Sequence, residues 1–296
     1  MIFKLLQRFI RRAPFPGQMR VFHYLFSRNR FRENYVMSFP LNGNFLLHTD
    51  TKKLIDARVV YTGDYEPGIK DVFKAIIKPG DTVLDIGANV GFHTLFFSEL
   101  TGVQGRVFAF EPIPSNYQKL RANIALNEAR NVRALSIALG NKNEVIEIFV
   151  DTTNDNPGSF NLFAKGELNT KIDCRRGDDV IASLELDRVD MMKVDVEGYE
   201  QFVLEGLQGM IGRYQPKIVF EFDKNYQLKH ANDQFGVFHV LSPFGYRFFL
   251  IEDKGLLPFT YDEKLVSADI LALPKRLFLS SDDPAESYQE LHPNAG

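Results

Sequence analysis

Two short stretches constrain this chain more than any others: Val83-Leu84-Asp85-Ile86-Gly87-Ala88-Asn89-Val90-Gly91 and Val107-Phe108-Ala109-Phe110-Glu111. An apolar run broken by glycines, then a helical stretch, then a second apolar run ending in an acid reads as strand, tight turn, helix, strand. Strands joined in this way lie parallel, and their ligand sits beyond their carboxyl ends. The glycines alone are a weak signal. Asp85 and Glu111 say more about what such a site can hold.

Asp85 stands two residues before the turn, and Asn89 occupies the place of the glycine that lets a backbone approach a pyrophosphate. A dinucleotide would set its phosphates at the following helix N-terminus, where a neighbouring carboxylate repels them. An NAD-type oxidoreductase therefore fits poorly. S-adenosylmethionine has no phosphate and carries a sulfonium and an ammonium, so an acid-lined turn suits it. Glu111, at the end of the second strand, has the reach to accept both ribose hydroxyls. The plainer alternative is that Asp85 caps the turn and Glu111 is solvated.

Acids recur at the ends of the later apolar runs, as Asp195 with Glu197 and as Glu221 with Asp223. Four strands thus deliver carboxylates to one rim, which points to a cationic ligand or a metal there. Met192-Lys193-Val194-Asp195-Val196-Glu197-Gly198-Tyr199-Glu200 is the densest candidate for chemistry. Methyl transfer to a hydroxyl needs the acceptor oxygen close to the methyl and a group to take its proton. Alternation along an extended segment would put Asp195 and Glu197 on one side, one as base and one orienting substrate. Lys193 would pair with one of them, and the alternative is helix capping by either acid. His93, in the first helical turn after the glycines, is a further candidate base, or else a structural histidine. Mg²⁺ on Asp195, Glu221 and Asp223 is a weaker reading that rests on acid count alone, and no metal ligands are assigned.

The remaining pattern alternates. Helix 68–77, strand 82–87, helix 91–101, strand 106–111, helix 114–128, strand 132–138 and a β run over 144–150 are expected. A polar loop spans 151–171, and its stretch Asn154 to Asn161 is a candidate lid. Helix 177–186, strand 189–195, helix 199–213, strand 217–222, helix 233–243 and strands near 246–251 and 266–273 follow. This predicts an α/β fold, a Rossmann-like, mostly parallel sheet with helices on both faces and an antiparallel edge strand. Upstream lies an N-terminal appendage over residues 1–60, with a hairpin turning at Asn42-Gly43. The main domain spans 61–276, and a polar tail spans 277–296.

Residues 1–35 carry eight basic side chains against Glu33 alone, with Ile2, Leu5, Leu6, Phe9 and Ile10 at helical spacing. That is a basic amphipathic helix suited to peripheral contact with an anionic membrane, or else a helix docked on the core with its arginines in water. A net charge of −3 over 296 residues argues against nucleic acid as a partner. The single cysteine, Cys174, excludes an internal disulfide, reads as an inert thiol and fits the cytoplasm. Oligomeric state is not encoded legibly.

The elements Asp85-Ile86-Gly87-Ala88-Asn89-Val90-Gly91, Phe110-Glu111-Pro112, Ala138-Leu139-Gly140 and Lys193-Val194-Asp195-Val196-Glu197-Gly198 with Glu200 resemble, in order and spacing, the FkbM-type S-adenosylmethionine-dependent methyltransferases. The resemblance implies a class I methyltransferase fold and O-methylation of hydroxyls, with a small-molecule or glycan acceptor. It implies that Asp85, Gly87, Ala88, Asn89 and Gly91 hold the methionine half, that Glu111 holds the ribose, and that Ile113 and Ala138 flank the adenine. Tyr65-Glu66-Pro67 resembles a segment that closes over the donor, which brings in Glu66. Asn141 stands where an acid often follows in that family. A scaffold that binds the donor without turnover is the alternative, favoured if Asp195 and Glu197 prove to be buried in structural ion pairs.

Overall fold

The computed structural model describes residues 15, 17–28, 34–38, 43–63, 65–150, 168–230, 233–252, 255–262 and 264–278. In chain order the elements begin with α1 (Gln18–Ser27), β1 (Asn34–Ser38), β2 (Leu46–Asp50), α2 (Leu54–Thr62) and α3 (Pro67–Ile76). They continue with β3 (Thr82–Ile86), α4 (Phe92–Thr101), β4 (Arg106–Phe110), α5 (Pro114–Leu126), β5 (Val132–Leu135), β6 (Ala138–Gly140), β7 (Glu144–Val150) and β8 (Leu168–Arg176). The last set is α6 (Gly177–Ser183), β9 (Met191–Val194), α7 (Glu200–Gly206), α8 (Gln208–Tyr214), β10 (Lys217–Asp223), α9 (Lys224–His230), α10 (Gly236–Leu241), β11 (Tyr246–Glu252), β12 (Gly255–Phe259) and β13 (Ser267–Pro274).

Eight strands form the main sheet in the order β12-β11-β13-β10-β9-β3-β4-β5. Strands β5, β4, β3, β9 and β10 are mutually parallel, and β13 runs against them between β10 and β11. Numbered from β3 along the sheet-forming strands, this is the 3-2-1-4-5-7-6 order of a class I methyltransferase, extended at its edge by β12. The α/β architecture expected from the sequence is therefore present. The reversed strand β13 is internal, and the antiparallel edge is β12, a strand the sequence pattern did not announce.

The alternation of side chains builds two cores. Leu84, Ile86, Met192, Val194, Ile218 and Phe220 point to one face and pack with Val203, Leu204, Met210 and Phe238 from α7, α8 and α10. Val83, Val107, Met191, Val219 and Leu271 point to the other, against Ile69, Phe73, Phe92 and Phe96 from α3 and α4. Helices thus cover both faces, and all five residues of β3 are buried. Each such apolar side chain contributes about 1.5–3 kcal/mol of burial, which anchors β3 at the centre of the sheet.

Several local expectations are corrected. Strand 132–138 divides, because β5 joins the main sheet while β6 pairs with β8 in a separate three-stranded sheet, β6-β8-β7. The lid expected at Asn154 to Asn161 lies outside the described residues, and the last part of the loop expected over 151–171 belongs instead to β8, paired to β7 from Val150↔Leu168 onward. Helix 199–213 is two short helices. Strands β1 and β2 pair antiparallel, with Ser38 opposite Leu46, and the expected turn at Asn42-Gly43 falls in part outside the described residues. Helices α2 and α9 had no sequence assignment. Phe45, Leu47 and Val59 belong to the α3–α4 core, so residues before 61 help build it. Within the basic N-terminal segment, Phe22 of α1 is buried against Ala57, Val60 and Tyr61, which docks that helix on α2. The pattern Ile2 to Ile10 lies outside the described residues. Among the described residues no helix is long and apolar enough to cross a membrane.

Candidate active site

A cavity of about 490 Å³ opens at the carboxyl ends of β3, β4, β9 and β10, within the usual range for small-molecule sites. It lies where the connections diverge between β3 and β9, the switch point at which open α/β sheets bind ligands. Gly87, Ala88, Asn89, Glu111, Ile113, Ala138, Glu66, His93, Asp195 and Glu197 all line it. Ten of the twelve residues singled out in the sequence are thereby brought together.

The other two lie behind the wall. Gly91 caps α4 with φ +94, and a Cβ there would meet Leu120 Cδ1 at 2.6 Å, so its glycine serves helix packing. Asp85 is completely buried. Its Oδ2 accepts a hydrogen bond from Thr94 Oγ1 at 2.5 Å, and its Oδ1 lies 3.9 Å from Lys193 Nζ without a hydrogen-bond partner. The carboxylate expected to face the ligand instead sits beneath Lys193.

The turn after β3 explains what the cavity can take. The N–H groups of Gly87 and Ala88 both donate to Phe110 O, that of Asn89 to Glu111 Oε2 at 2.8 Å, and that of Gly91 to Ala88 O. These amides are spent inside the protein, so the turn does not present the amide cradle that a pyrophosphate needs. Gly87 is required for another reason. At φ +82 its missing Cβ would lie 1.8 Å from Asp195 O, so only glycine lets β3 and the β9 turn approach.

Glu111 accepts from Asn89 N through Oε2 and from Ile113 N through Oε1 at 2.9 Å. A carboxylate has about four acceptor positions, which leaves two directed elsewhere. Burial pushes its carboxyl up to about 7 despite both amide bonds. Beside it, Ile113, Ala138, Ile146, Ile148 and Ile172 form an apolar patch contributed by the small sheet.

The β9 turn carries the opposite chemistry. Lys193 Nζ donates to Asp195 Oδ2 at 2.9 Å. Burial opposes the ammonium, yet Asp195 and Asp85 together hold Lys193 above its usual pKa. Asp195 is still 37% exposed at its side chain and faces the cavity. The chain is not extended here. Strand β9 ends at Val194, and Glu197 (φ 56) and Gly198 (φ 101) adopt the left-handed conformation. Glu200, 1% exposed, holds that turn by accepting from Val196 N and Gly198 N and from Gln227 Nε2. Burial, then Asp195 and Glu200, push Glu197 up to about 8.

His93 is buried among the rings of Phe73, Phe92 and Phe97, and its Nε2 lies 2.9 Å from Glu66 Oε2. Burial opposes ionisation of Glu66, but the bond and charge of His93 and the bond from Tyr65 outweigh it and bring the carboxyl down to about 2. An ionised carboxylate only accepts, so Nε2 carries the proton. Sequence reasoning missed Asp269 and Tyr226, which also line the cavity. The signal for Asp269 was its place at the start of β13, which an antiparallel strand brings to the same rim, opposite Glu221.

Residues 85–248, more than half of the chain, match the methyltransferase FkbM domain, and the chain belongs to that family of S-adenosylmethionine-dependent methyltransferases. Among curated relatives, "Methyltransferase 1" of Beauveria bassiana is 28% identical over 151 residues, 44% of this chain and 59% of that protein. A hexuronic acid methyltransferase of Haloferax volcanii is 29% identical over 143 residues, 47% of this chain and 56% of that protein. The chain thus spans under two thirds of the length of each. The crystal structure of an FkbM methyltransferase from Methylobacillus flagellatus is similar at 17% identity and a TM-score of 0.41, over 86% of this chain and 58% of that one.

The residues present fit the family's donor. Glu111 keeps two free acceptor positions for a ribose diol, the buried Asn89 Oδ1 has no hydrogen-bond partner, and the apolar patch beside Glu111 suits a purine.

Proposed function

We propose that this protein O-methylates a hydroxyl of a small molecule or glycan, using S-adenosylmethionine. When bound, the donor supplies a cationic, electrophilic methyl group. Glu111 would hold the ribose, Ile113 and Ala138 would flank the adenine, and Asn89, Gly87 and Ala88 would border the methionine half. Asp85 would act through Lys193 rather than by contact. Glu66, fixed as a carboxylate by His93, offers a permanent negative charge to a cationic ligand. His93 then serves as its positioning residue, not as the base.

The observation that carries the reading is the β9 turn, where two carboxyls line the cavity, one of them held by Lys193 and the other without such a partner among the described residues. Asp195 is anchored by Lys193 and suits orienting the acceptor hydroxyl. Burial with Asp195 and Glu200 pushes Glu197 up to about 8, nearer neutrality than an ordinary carboxyl, which suits a general base. A non-catalytic scaffold would be expected to bury these acids in structural ion pairs, but Asp195 is accessible and Glu197 lies on the cavity wall. The test is transfer of labelled methyl groups to a panel of hydroxyl compounds. Wild type should label an acceptor, and Glu197→Gln should lose turnover by about 10²-fold or more with donor affinity kept. Donor binding without transfer to any acceptor would favour the scaffold.

A further inference from the structure

The donor-binding features and the far end of the cavity differ in charge. Glu111 sits at the end of β4, whereas Glu221 and Asp269 sit on β10 and β13, three and four strands away, roughly 14 and 19 Å at ~4.8 Å per strand. This far end is where an acceptor would lie. Glu221 and Asp269 are directly paired across the two strands. Like charges placed opposite one another destabilise a sheet, so the two carboxyls resist being ionised together. Glu197 and Asp223 face the same space. Among the described lining residues Lys193 is the one lysine or arginine, and it is already committed to Asp195 and Asp85.

Resting on the methyltransferase reading, we infer that the acceptor is uncharged or cationic where it enters between β10 and β13, and that Glu221 and Asp269 make this protein reject carboxylated acceptors, including hexuronic acids. Any carboxylate placed there meets the environment that Glu221 already experiences. Burial, then Asp195 and Glu197, push Glu221 up to about 9, and burial with Glu66 and Asp195 pushes Asp269 to about 6. An entering carboxylate would have to take up a proton or be repelled.

The test uses the full chain loaded with S-adenosylhomocysteine and three sugars of matched ring, glucose, glucosamine and glucuronate, followed by saturation-transfer NMR at neutral pH. Glucose or glucosamine should bind at least about tenfold more tightly than glucuronate, the scale of one partly screened like-charge contact. Asp269→Asn, which removes the member of the pair that is ionised at neutral pH, should narrow the gap by about threefold or more, whereas Glu221→Gln should narrow it only when the measurement is repeated above about pH 9. Equal or tighter binding of glucuronate by wild type overturns the inference, as does an unchanged gap in folded Asp269→Asn or the failure of all three sugars to bind. Failure of S-adenosylhomocysteine itself to bind would instead bring down the methyltransferase reading.

Discussion

Replacing Glu200 with alanine should separate the stability of the β9 turn from donor binding. The side chain is 1% exposed and accepts three hydrogen bonds, from Val196 N at 3.0 Å, Gly198 N at 3.1 Å and Gln227 Nε2 at 2.7 Å. Alanine leaves all three donors without that partner, at about 1–3 kcal/mol each before relaxation. Water entering the void recovers part of this, so a net loss of roughly 3–5 kcal/mol is expected, the usual range for breaking a buried polar network. For a domain of this size that lowers Tm by roughly 10 °C. Glutamine behaves differently. Its carbonyl can accept from both backbone amides, and its NH2 can donate to Gln227 Oε1, which has no partner, once that amide flips. Glu200→Gln should therefore stay within about 1 kcal/mol of wild type. Calorimetric melting measures both variants. If alanine costs less than about 1 kcal/mol, or glutamine costs as much as alanine, Glu200 does not hold the turn as argued.

Gly87→Ala should cost on the order of 3 kcal/mol or more and abolish donor binding, because the added methyl meets Asp195 O at 1.8 Å; parallel melting and titration check it. Glu111 in the free protein is pushed up to about 7, and ribose hydroxyls would bond its ionised form. Affinity for S-adenosylhomocysteine should therefore be level above that pH and weaken below it by up to about tenfold per unit, a slope absent in Glu111→Gln. Stability of the ligand-free protein should move the other way. Glu111, Glu197, Glu200, Glu221 and Asp269 all have raised values, about 7, 8, 7, 9 and 6. A raised carboxyl binds its proton more tightly when folded, so its stabilisation is present at low pH and is lost as pH rises through the folded value. Tm should fall between about pH 6 and pH 9, and Glu221→Gln should flatten the upper part of that decline.

The parallel β3–β4 unit of this protein was largely legible in its sequence, for a physical reason. In Asp85 to Gly91 and Val107 to Glu111, local pattern and tertiary role coincide, since a buried parallel strand is apolar throughout and must turn sharply at its end. What the pattern could not convey was depth. Asp85 has the right position to meet a ligand, but Lys193 from the neighbouring strand stands in front of it. Spacing predicted the two acids of the β9 turn to share a side through an extended chain. They do share the cavity, but through left-handed residues held by Glu200, a long-range contact with Gln227 that no spacing rule contains. Asp269 escaped notice because its relevance depends on β13 running backwards inside the sheet. Helices α2 and α9 and strand β12, of 9, 7 and 5 residues, are too short for a repeating pattern to mark them.

The central claim is that the cavity above β3 and β4 binds a phosphate-free methyl donor through Glu111. Calorimetric titration of S-adenosylmethionine into the wild type and Glu111→Ala, with NAD as the comparison ligand, tests it most directly. The wild type should bind S-adenosylmethionine at micromolar concentration, the variant about 10²-fold or more weakly as two charge-assisted bonds disappear, and neither should bind NAD. Binding of NAD, or S-adenosylmethionine affinity unchanged in a folded Glu111→Ala protein, would contradict it.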